Sequence, residues 1–332
     1  MDDEFKGEEV SSKEIVNHLL VNDGLAADRD AAKKLQESEP AEKIAAYLYE
    51  KSPEEIFAAY QVDGGIEWFP NLFGDGHVLP KDMTIAEIFS DIANYNSVPI
   101  ILGSNRDETK LFMMLDDEMV DKAFGLLPVG FTDDFAYETV NRYDSELWKI
   151  RCVDSLASLM REVQGERVFA YRFDADDWRD LGFIDLQKLL GAAHATEIPF
   201  VFGNFPNPFR GLCPDATVPA RNRLSDSMMS YWAEFAYTGD PGRGRSGKEV
   251  AWTTWQNGDK NRLRLMILDT DLDRGIRMSS EWATMAGIKA KFLSETGFRN
   301  QKTYCDVYKY LFRGDDFVQS EYENLGNGGC TE

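Results

Sequence analysis

Apolar residues recur at helical spacing through the first sixty positions. Ile15, His18 and Leu19 share one face, as do Ile44, Tyr47 and Leu48, and this 3.6-residue period predicts a run of short amphipathic helices over residues 11–60. Ser11 with Glu14 and Ser52 with Glu55 are spaced as capping boxes, and Pro53 stands where the second of these helices begins. His18 falls on the apolar face and reads as interfacial packing. Gly64-Gly65 closes this section. Residues 66–80 are turn-rich, with Trp68-Phe69-Pro70 and Gly74-Asp75-Gly76-His77. His77 has no acidic or thiol partner at ligand spacing and reads as a loop residue. Thr84 with Glu87 opens another helix, which the pattern expects to bury Ile85, Ile88, Phe89 and Ile92.

The period then changes. Val98 to Leu102 is a short continuous apolar run, suited to a strand covered on both faces. Helices are expected over 109–128 and again over about 133–164, where Trp148, Val153, Leu156, Met160 and Val163 keep near-helical spacing and Gly165 is placed as a C-cap. Arg167 to Phe173 reads as a strand, Ser225 to Tyr237 as a long helix with Met228, Met229, Trp232 and Phe235 inward, Leu263 to Leu268 as the last strand, and Ser280 to Glu295 as a helix. Beyond residue 300, Tyr304, Tyr308, Leu311 and Phe312 share one possible helical face before a Gly-rich end. Strands separated by helices imply an α/β architecture, a parallel sheet with crossovers. Only three strands are visible, few for such a sheet. There is no internal repeat and no low-complexity tract.

Composition narrows the class. An apolar share of 43% over 332 residues supplies a sizeable core. A net charge of −22 argues against a phosphate-backbone partner, so nucleic acid is excluded. No apolar run approaches the ~18 residues a membrane helix needs. The start, Met1-Asp2-Asp3-Glu4-Phe5, lacks the basic and apolar regions of a signal peptide. Cys152, Cys213, Cys305 and Cys330 form no C-x-x-C pair, which leaves zinc and redox motifs unsupported. Reduced thiols in a cytoplasmic protein is the expectation.

Two motifs compete for the chemistry. Gly242-Arg243-Gly244-Arg245-Ser246-Gly247-Lys248 matches G-x-G-x-x-G and nearly a P-loop, but Glu249 stands where Ser or Thr should hold magnesium. It also follows a helix and a turn, whereas both phosphate motifs need a strand before them, so it reads as a solvated loop. The other is a pair of segments. Glu108 lies just beyond the 98–102 strand, where open α/β sheets place their sites. His194, one of three histidines, follows the next strand in Gly191-Ala192-Ala193-His194-Ala195-Thr196-Glu197. Alone, a loop histidine is more often a satisfied bystander, and Asp107-Glu108 is equally readable as a surface turn. Together they follow the chain order of α/β-hydrolase triads, in which the acid precedes the histidine. The acid would hold the imidazole tautomer, and the histidine would take a serine proton and return it to the leaving alcohol.

Val98-Pro99-Ile100-Ile101-Leu102-Gly103-Ser104-Asn105-Arg106-Asp107-Glu108 resembles the acid-bearing segment of the type B carboxylesterase and cholinesterase-like family. Gly191 to His194, then Glu197-Ile198-Pro199-Phe200-Val201-Phe202-Gly203, resembles its histidine segment. Ser225-Asp226, Tyr231-Trp232, Phe235-Ala236 and Thr238-Gly239-Asp240-Pro241 are similar to the helix that follows, and Gly76-His77-Val78-Leu79-Pro80 and Trp252 to Trp255 agree. The likeness is strong from about 75 to 270, looser before, and absent beyond about 298. It implies an α/β-hydrolase fold, cleavage of small-molecule carboxylic esters through an acyl-serine intermediate, no cofactor, no metal, Glu108 as the acid and His194 as the base.

The family also carries a G-x-S-x-G nucleophile elbow and a glycine-rich oxyanion segment upstream of the acid. Neither occurs here. Ser11, Ser12, Ser38, Ser52, Ser90, Ser97 and Ser104 precede Glu108 and none has the flanking glycines, while Gly244-Arg245-Ser246-Gly247 misses the second glycine by one position. The resemblance therefore places Met1 after the elbow. Residues 1–298 are expected to be the C-terminal portion of a carboxylesterase type B domain, the C-terminal part of a mostly parallel sheet with helices on both faces, with 299–332 a C-terminal tail that can carry a short helix. Such a chain would need its upstream half and be inactive alone. The alternative is a noncatalytic cholinesterase-like interaction domain. Retention of both Glu108 and His194 favours enzyme ancestry, because adhesion relatives need neither.

Overall fold

A computed structural model describes residues 12–59, 76–207, 209–326 and 328–331. Ser11 of the first capping box, the Gly64-Gly65 break and the 66–75 stretch lie outside the described residues. The chain divides into two compact units, Met1–Ile88 and Phe89–Glu332.

In the first unit the short amphipathic helices form as their spacing predicts: α1 (Ser12–Asn22), α2 (Arg29–Ser38), α3 (Ala41–Tyr49) and α4 (Pro53–Ala59). Ile15 and Leu19 pack with Ala59, and Val16 and Leu20 pack with Ala32, while Tyr47 and Leu48 touch both groups. The Ser52–Glu55 box closes reciprocally, with Ser52 N donating to Glu55 Oε2 at 2.8 Å and Glu55 N donating to Ser52 Oγ at 3.2 Å. His18 meets the Ala59 carbonyl through Nδ1 at 3.1 Å, a packing role. Thr84 and Glu87 also form their box. The helix they open, α5 (Ile85–Phe89), is short, and Ile85 and Ile92 are exposed where the pattern expected burial. Five residues make little more than one turn, too few to turn a whole apolar stripe inward.

The second unit runs β1 (Ile100–Asn105), α6 (Lys110–Met113), β2 (Val120–Ala123), β3 (Leu127–Phe131), α7 (Asp134–Lys149), a π turn at Ile150–Asp154, α8 (Ser155–Gln164), β4 (Val168–Phe173), α9 (Leu186–Leu190), α10 (Ile198–Phe202), α11 (Phe209–Leu212), α12 (Val218–Thr238), β5 (Leu265–Leu268), β6 (Arg277–Ser279), α13 (Met285–Leu293), α14 (Gln301–Leu311) and α15 (Gln319–Glu323). Its sheet has the order β1-β4-β5-β6, the first three strands parallel and β6 antiparallel to β5. Alternation along the strands sends side chains to two cores. Ile100, Leu102, Val168, Ala170, Leu265 and Ile267 pack with Val153, Ala157 and Met160. Phe169, Phe173, Met266 and Leu268 pack on the other face with Leu224, Met228 and Tyr231 of α12. The expected mostly parallel sheet with helices on both faces is the architecture observed.

Four features differ from the sequence reading. The helix expected over 109–128 is only α6, followed by a β2–β3 hairpin. Consecutive positive φ at Phe124 (55°) and Gly125 (69°) turn the chain back, and Pro128 cannot sit inside a helix. A fourth sheet strand, β6, is too short and too polar to show in the pattern. Residues 301–325 are no loose tail: Tyr304, Tyr308, Leu311, Phe312 and Leu325 are buried with Tyr137, Leu147 and Phe292. Finally, reduced thiols hold only for Cys152 and Cys213, because Cys305 and Cys330 form a disulfide across a Cα separation of 5.8 Å. Disulfides persist in oxidising surroundings, so the premise behind the cytoplasmic expectation fails for this pair.

The Gly242–Lys248 segment is a turn-rich loop after α12, whose end is capped by Gly239 at φ 79°. It folds back on its helix through Arg245 N to Ser230 O at 3.2 Å, with no strand before it. Among the described residues no helix is long and apolar enough to cross a membrane, and no group of three or more His, Cys, Asp or Glu could hold a metal ion.

Candidate active site

Parallel pairing with β4 fixes where β1 ends. Asn105 lies opposite Phe173, and Arg106 N donates to Phe173 O at 2.9 Å. The turn that follows aims Asp107 and Glu108 beyond the carboxyl edge of the sheet. Both carboxylates are buried, at 6% and 4% exposure, yet they are engaged differently.

Glu108 faces His194. One carboxylate oxygen, Oε1, accepts from Asn105 N at 2.7 Å, and Oε2 lies 2.6 Å from His194 Nδ1. A carboxylate accepts, so Nδ1–H donates, and the basic lone pair of the neutral ring is then at Nε2. Nε2 makes no hydrogen bond among the described residues. The imidazole packs against Phe112 and Trp148, with ring centroids 5.7 and 5.3 Å away. Its side chain is 43% exposed, half embedded and half open. Burial pushes the Glu108 carboxyl above its ordinary value and the charge of Glu197 adds to this, against the Asn105 N–H and His194.

Asp107 clamps the histidine loop instead. Its Oδ2 accepts from Ala192 N at 2.9 Å, its own N donates to Ala192 O at 3.0 Å, and its Oδ1 accepts from Asn141 Nδ2 at 2.7 Å. Arg106 and Lys110 flank it at 2.8 and 3.8 Å. Burial alone would raise this carboxyl, but the two cations and the donated hydrogen bonds outweigh it and hold the group below its usual value. Gly191 has φ 51°, and a Cβ there would overlap the Asp107 carboxylate, so glycine is required for this approach. Ala195, directly after the histidine, has φ 66°, a strained value for a residue with a Cβ. Asn105 Nδ2 bridges the two segments, donating to Ala193 O and Glu197 Oε2, both at 2.6 Å.

The structure thus brings together the two residues singled out from the sequence, Glu108 and His194. Asn105, Phe112, Trp148 and Trp178, whose Nε1 donates to Gly191 O at 2.6 Å, were not legible as parts of the site. Asn105 had a signal, since it ends the strand that delivers the acid. The tryptophans had none, because they arrive from distant elements. No serine among the described residues hydrogen-bonds to His194, and Ser104 is buried at 2% exposure within β1.

An acid that fixes a half-open imidazole at Nδ1 is the arrangement a serine hydrolase uses to activate its nucleophile. Residues 132–281, which include His194 and begin after Glu108, match the model of the carboxylesterase family. This part of the chain is similar to the carboxylesterase family. Its fold class, α/β-hydrolase, agrees with the sheet and covering helices described above. Among curated relatives, the bile salt-activated lipase of Homo sapiens is 23% identical over 261 residues, covering 68% of this chain and 33% of the relative. The para-nitrobenzyl esterase of Bacillus subtilis (strain 168) is 25% identical over 195 residues, covering 53% of this chain and 35% of the relative. The chain therefore spans about a third of the length of these relatives. A solved PNB esterase superposes with a TM-score of 0.44 at 23% identity, covering 72% of this chain and 48% of that one. Aspergillus niger EstA gives 0.49 at 17% identity, with 84% and 52% covered.

Proposed function

We propose that this carboxylesterase-like chain carries the acid and base of a carboxylic ester hydrolase. Glu108 orients His194 through Nδ1, and Nε2 takes the proton of a serine hydroxyl as it attacks the ester carbonyl, then returns it to the leaving alcohol. The observation that carries this reading is the 2.6 Å contact between His194 Nδ1 and a buried Glu108 whose other oxygen is already occupied by Asn105 N. The nucleophile and oxyanion donors come, in this reading, from polypeptide that is not among these 332 residues, since no G-x-S-x-G occurs in them. What further supports it is the position of β1 at the edge of its sheet among the described residues, where a neighbouring strand can pair.

The test is ester turnover with and without a supplied nucleophile. The 332-residue chain should hydrolyse 4-nitrophenyl butyrate no faster than its His194→Ala variant. Joined to a carboxylesterase N-terminal half that carries G-x-S-x-G, it should gain turnover that His194→Ala lowers by about three or more orders of magnitude. Serine-dependent turnover by the chain alone, labelled covalently by an organophosphate, would overturn the assignment. A joined protein indifferent to His194→Ala would leave a noncatalytic interaction domain as the better reading.

A further inference from the structure

Beside His194 lies a cavity of about 410 Å³. Phe112 and Trp148, the two rings that hold the imidazole, also form its apolar wall, stacked at 6.3 Å and 14°. Cys152, on the π turn after α7, lines it as an exposed free thiol. The opposite wall comes from the far end of the chain, where Tyr310 on α14 and Arg313 just past it face into the space. Both lie outside the carboxylesterase match, which ends at residue 281. They are held firmly: α14 is buried in the α7–α13 core, and Cys305–Cys330 ties the last residues back onto it.

The charges in this cavity are unequally committed. Asp144 Oδ2 accepts from Tyr310 Oη at 3.0 Å; burial pushes its carboxyl upward, against the Tyr310 hydrogen bond and the charges of Arg313 and Arg151. Arg151 is paired with Asp316 at 2.6 Å. Arg313 donates to the Tyr310 carbonyl at 2.6 Å and stacks over that ring at 5.0 Å, but it makes no ion pair among the described residues. In a chain of net charge −22, Arg313 is thus a cation at this mouth with no ion pair among the described residues, with the Asp144 carboxylate in the same cavity.

We propose that this cavity binds one arm of the ester substrate, and that it selects an arm with an apolar or aromatic body and an anionic outer end. The body lies against Phe112 and Trp148 and the anion meets Arg313. Arg313 and Tyr310 are then specificity-determining residues supplied by a disulfide-clasped segment outside the family match. This inference rests on the ester-hydrolase reading for what its occupant is, but its test reads binding alone.

The test uses Cys152 as a built-in reporter. Cys213 is buried and the remaining two cysteines are bonded to each other, so without reductant an alkylating reagent reports on Cys152. Burial and the nearby Glu108 charge hold this thiol's pKa up, so iodoacetamide labelling is run under mildly alkaline conditions and read by mass spectrometry of the Cys152 peptide. The probe is 4-phenylbutyrate and its neutral control is 4-phenylbutanamide. The acid should slow labelling saturably and the amide should not. Arg313→Ala should raise the concentration needed for protection about tenfold, and Arg313→Lys should retain most of it. Arg313 is exposed, so these variants leave the core untouched. Equal protection by the amide, protection that survives Arg313→Ala, or no protection at all would each overturn the proposal. None of these outcomes depends on turnover, so the ester-hydrolase reading stands or falls separately.

Discussion

Asp107 and Glu108 are neighbours in sequence and both are buried, but they ionise in opposite directions. The Asp107 carboxyl is held low by Arg106 and Lys110 against the effect of burial, and the Glu108 carboxyl is raised by burial. For Asp107 the unfolded chain binds protons more tightly than the folded one. Its contribution to stability is therefore full above the unfolded value of about 3.9 and is lost as pH falls through the folded value. For Glu108 the sign reverses: from about 4.3 upward to its folded value, stability declines as pH rises, and the full cost remains at neutrality. Asp107→Asn should thus destabilise the protein by about 1–3 kcal/mol near neutral pH, with the deficit shrinking toward pH ~3. Glu108→Gln should leave the melting temperature unchanged or raise it, while removing the orientation of His194. Thermal melts of both variants at neutral and acidic pH check this. A Glu108→Gln variant as unstable as Asp107→Asn would make Glu108 a second clamp instead of an orienting acid. Adjacency hid this division of labour in the sequence: both residues lie on the turn after the same strand, and only the register of β1 on β4 decides which carboxylate meets the histidine.

Local rules succeeded where an element is its own explanation. The Ser52–Glu55 and Thr84–Glu87 boxes, the Gly165 and Gly239 helix ends and the apolar run of β1 all formed, because each is set by contacts within a few residues. They failed at the β2–β3 hairpin, whose apolar residues mimic a helical stripe and whose turn uses Phe124, a residue disfavoured at φ 55°. Phe124 is 99% exposed, so packing repays none of that strain. Phe124→Asn should therefore stabilise the hairpin by about 0.5–1 kcal/mol, since Asn tolerates the left-handed region. A rise in melting temperature and slower amide exchange at Val120 and Phe131 would show it. A loss of stability would mean that the exposed ring has a partner. The Cys305–Cys330 pair and the burial of α14 escaped the sequence for another reason. The burial of α14 depends on α7 and α13 meeting from more than a hundred residues apart, and the disulfide on how the chain folds back over the 25-residue separation of its cysteines, neither of which a short-range pattern encodes.

At the scale of the whole molecule, β1 is both the strand that delivers the proposed acid and, among the described residues, an edge of its sheet. Parallel pairing points the N–H groups of Ile100, Leu102 and Ser104 toward β4 and those of Ile101, Gly103 and Asn105 outward. Glu108 Oε1 takes the outward Asn105 N–H, which blunts that end of the edge with the acid itself. Ile101 and Gly103 keep an outward backbone face, and Val98 just before the strand is 57% exposed. Such an edge templates association. Opposing it is the net charge of −22, a repulsion that salt screens over about 10 Å at 0.1 M. The isolated chain should therefore self-associate in a concentration-dependent way, more strongly as salt is raised, and Val98→Lys should reduce the effect by placing a charge at the edge. Size-exclusion chromatography across concentration and ionic strength, with thermal melting of each fraction, decides the matter. A monodisperse monomer at high salt with a sharp cooperative transition would show that β1 needs no further strand. The proposal that a separate stretch of polypeptide pairs there to bring the serine to His194 would then lose its structural support.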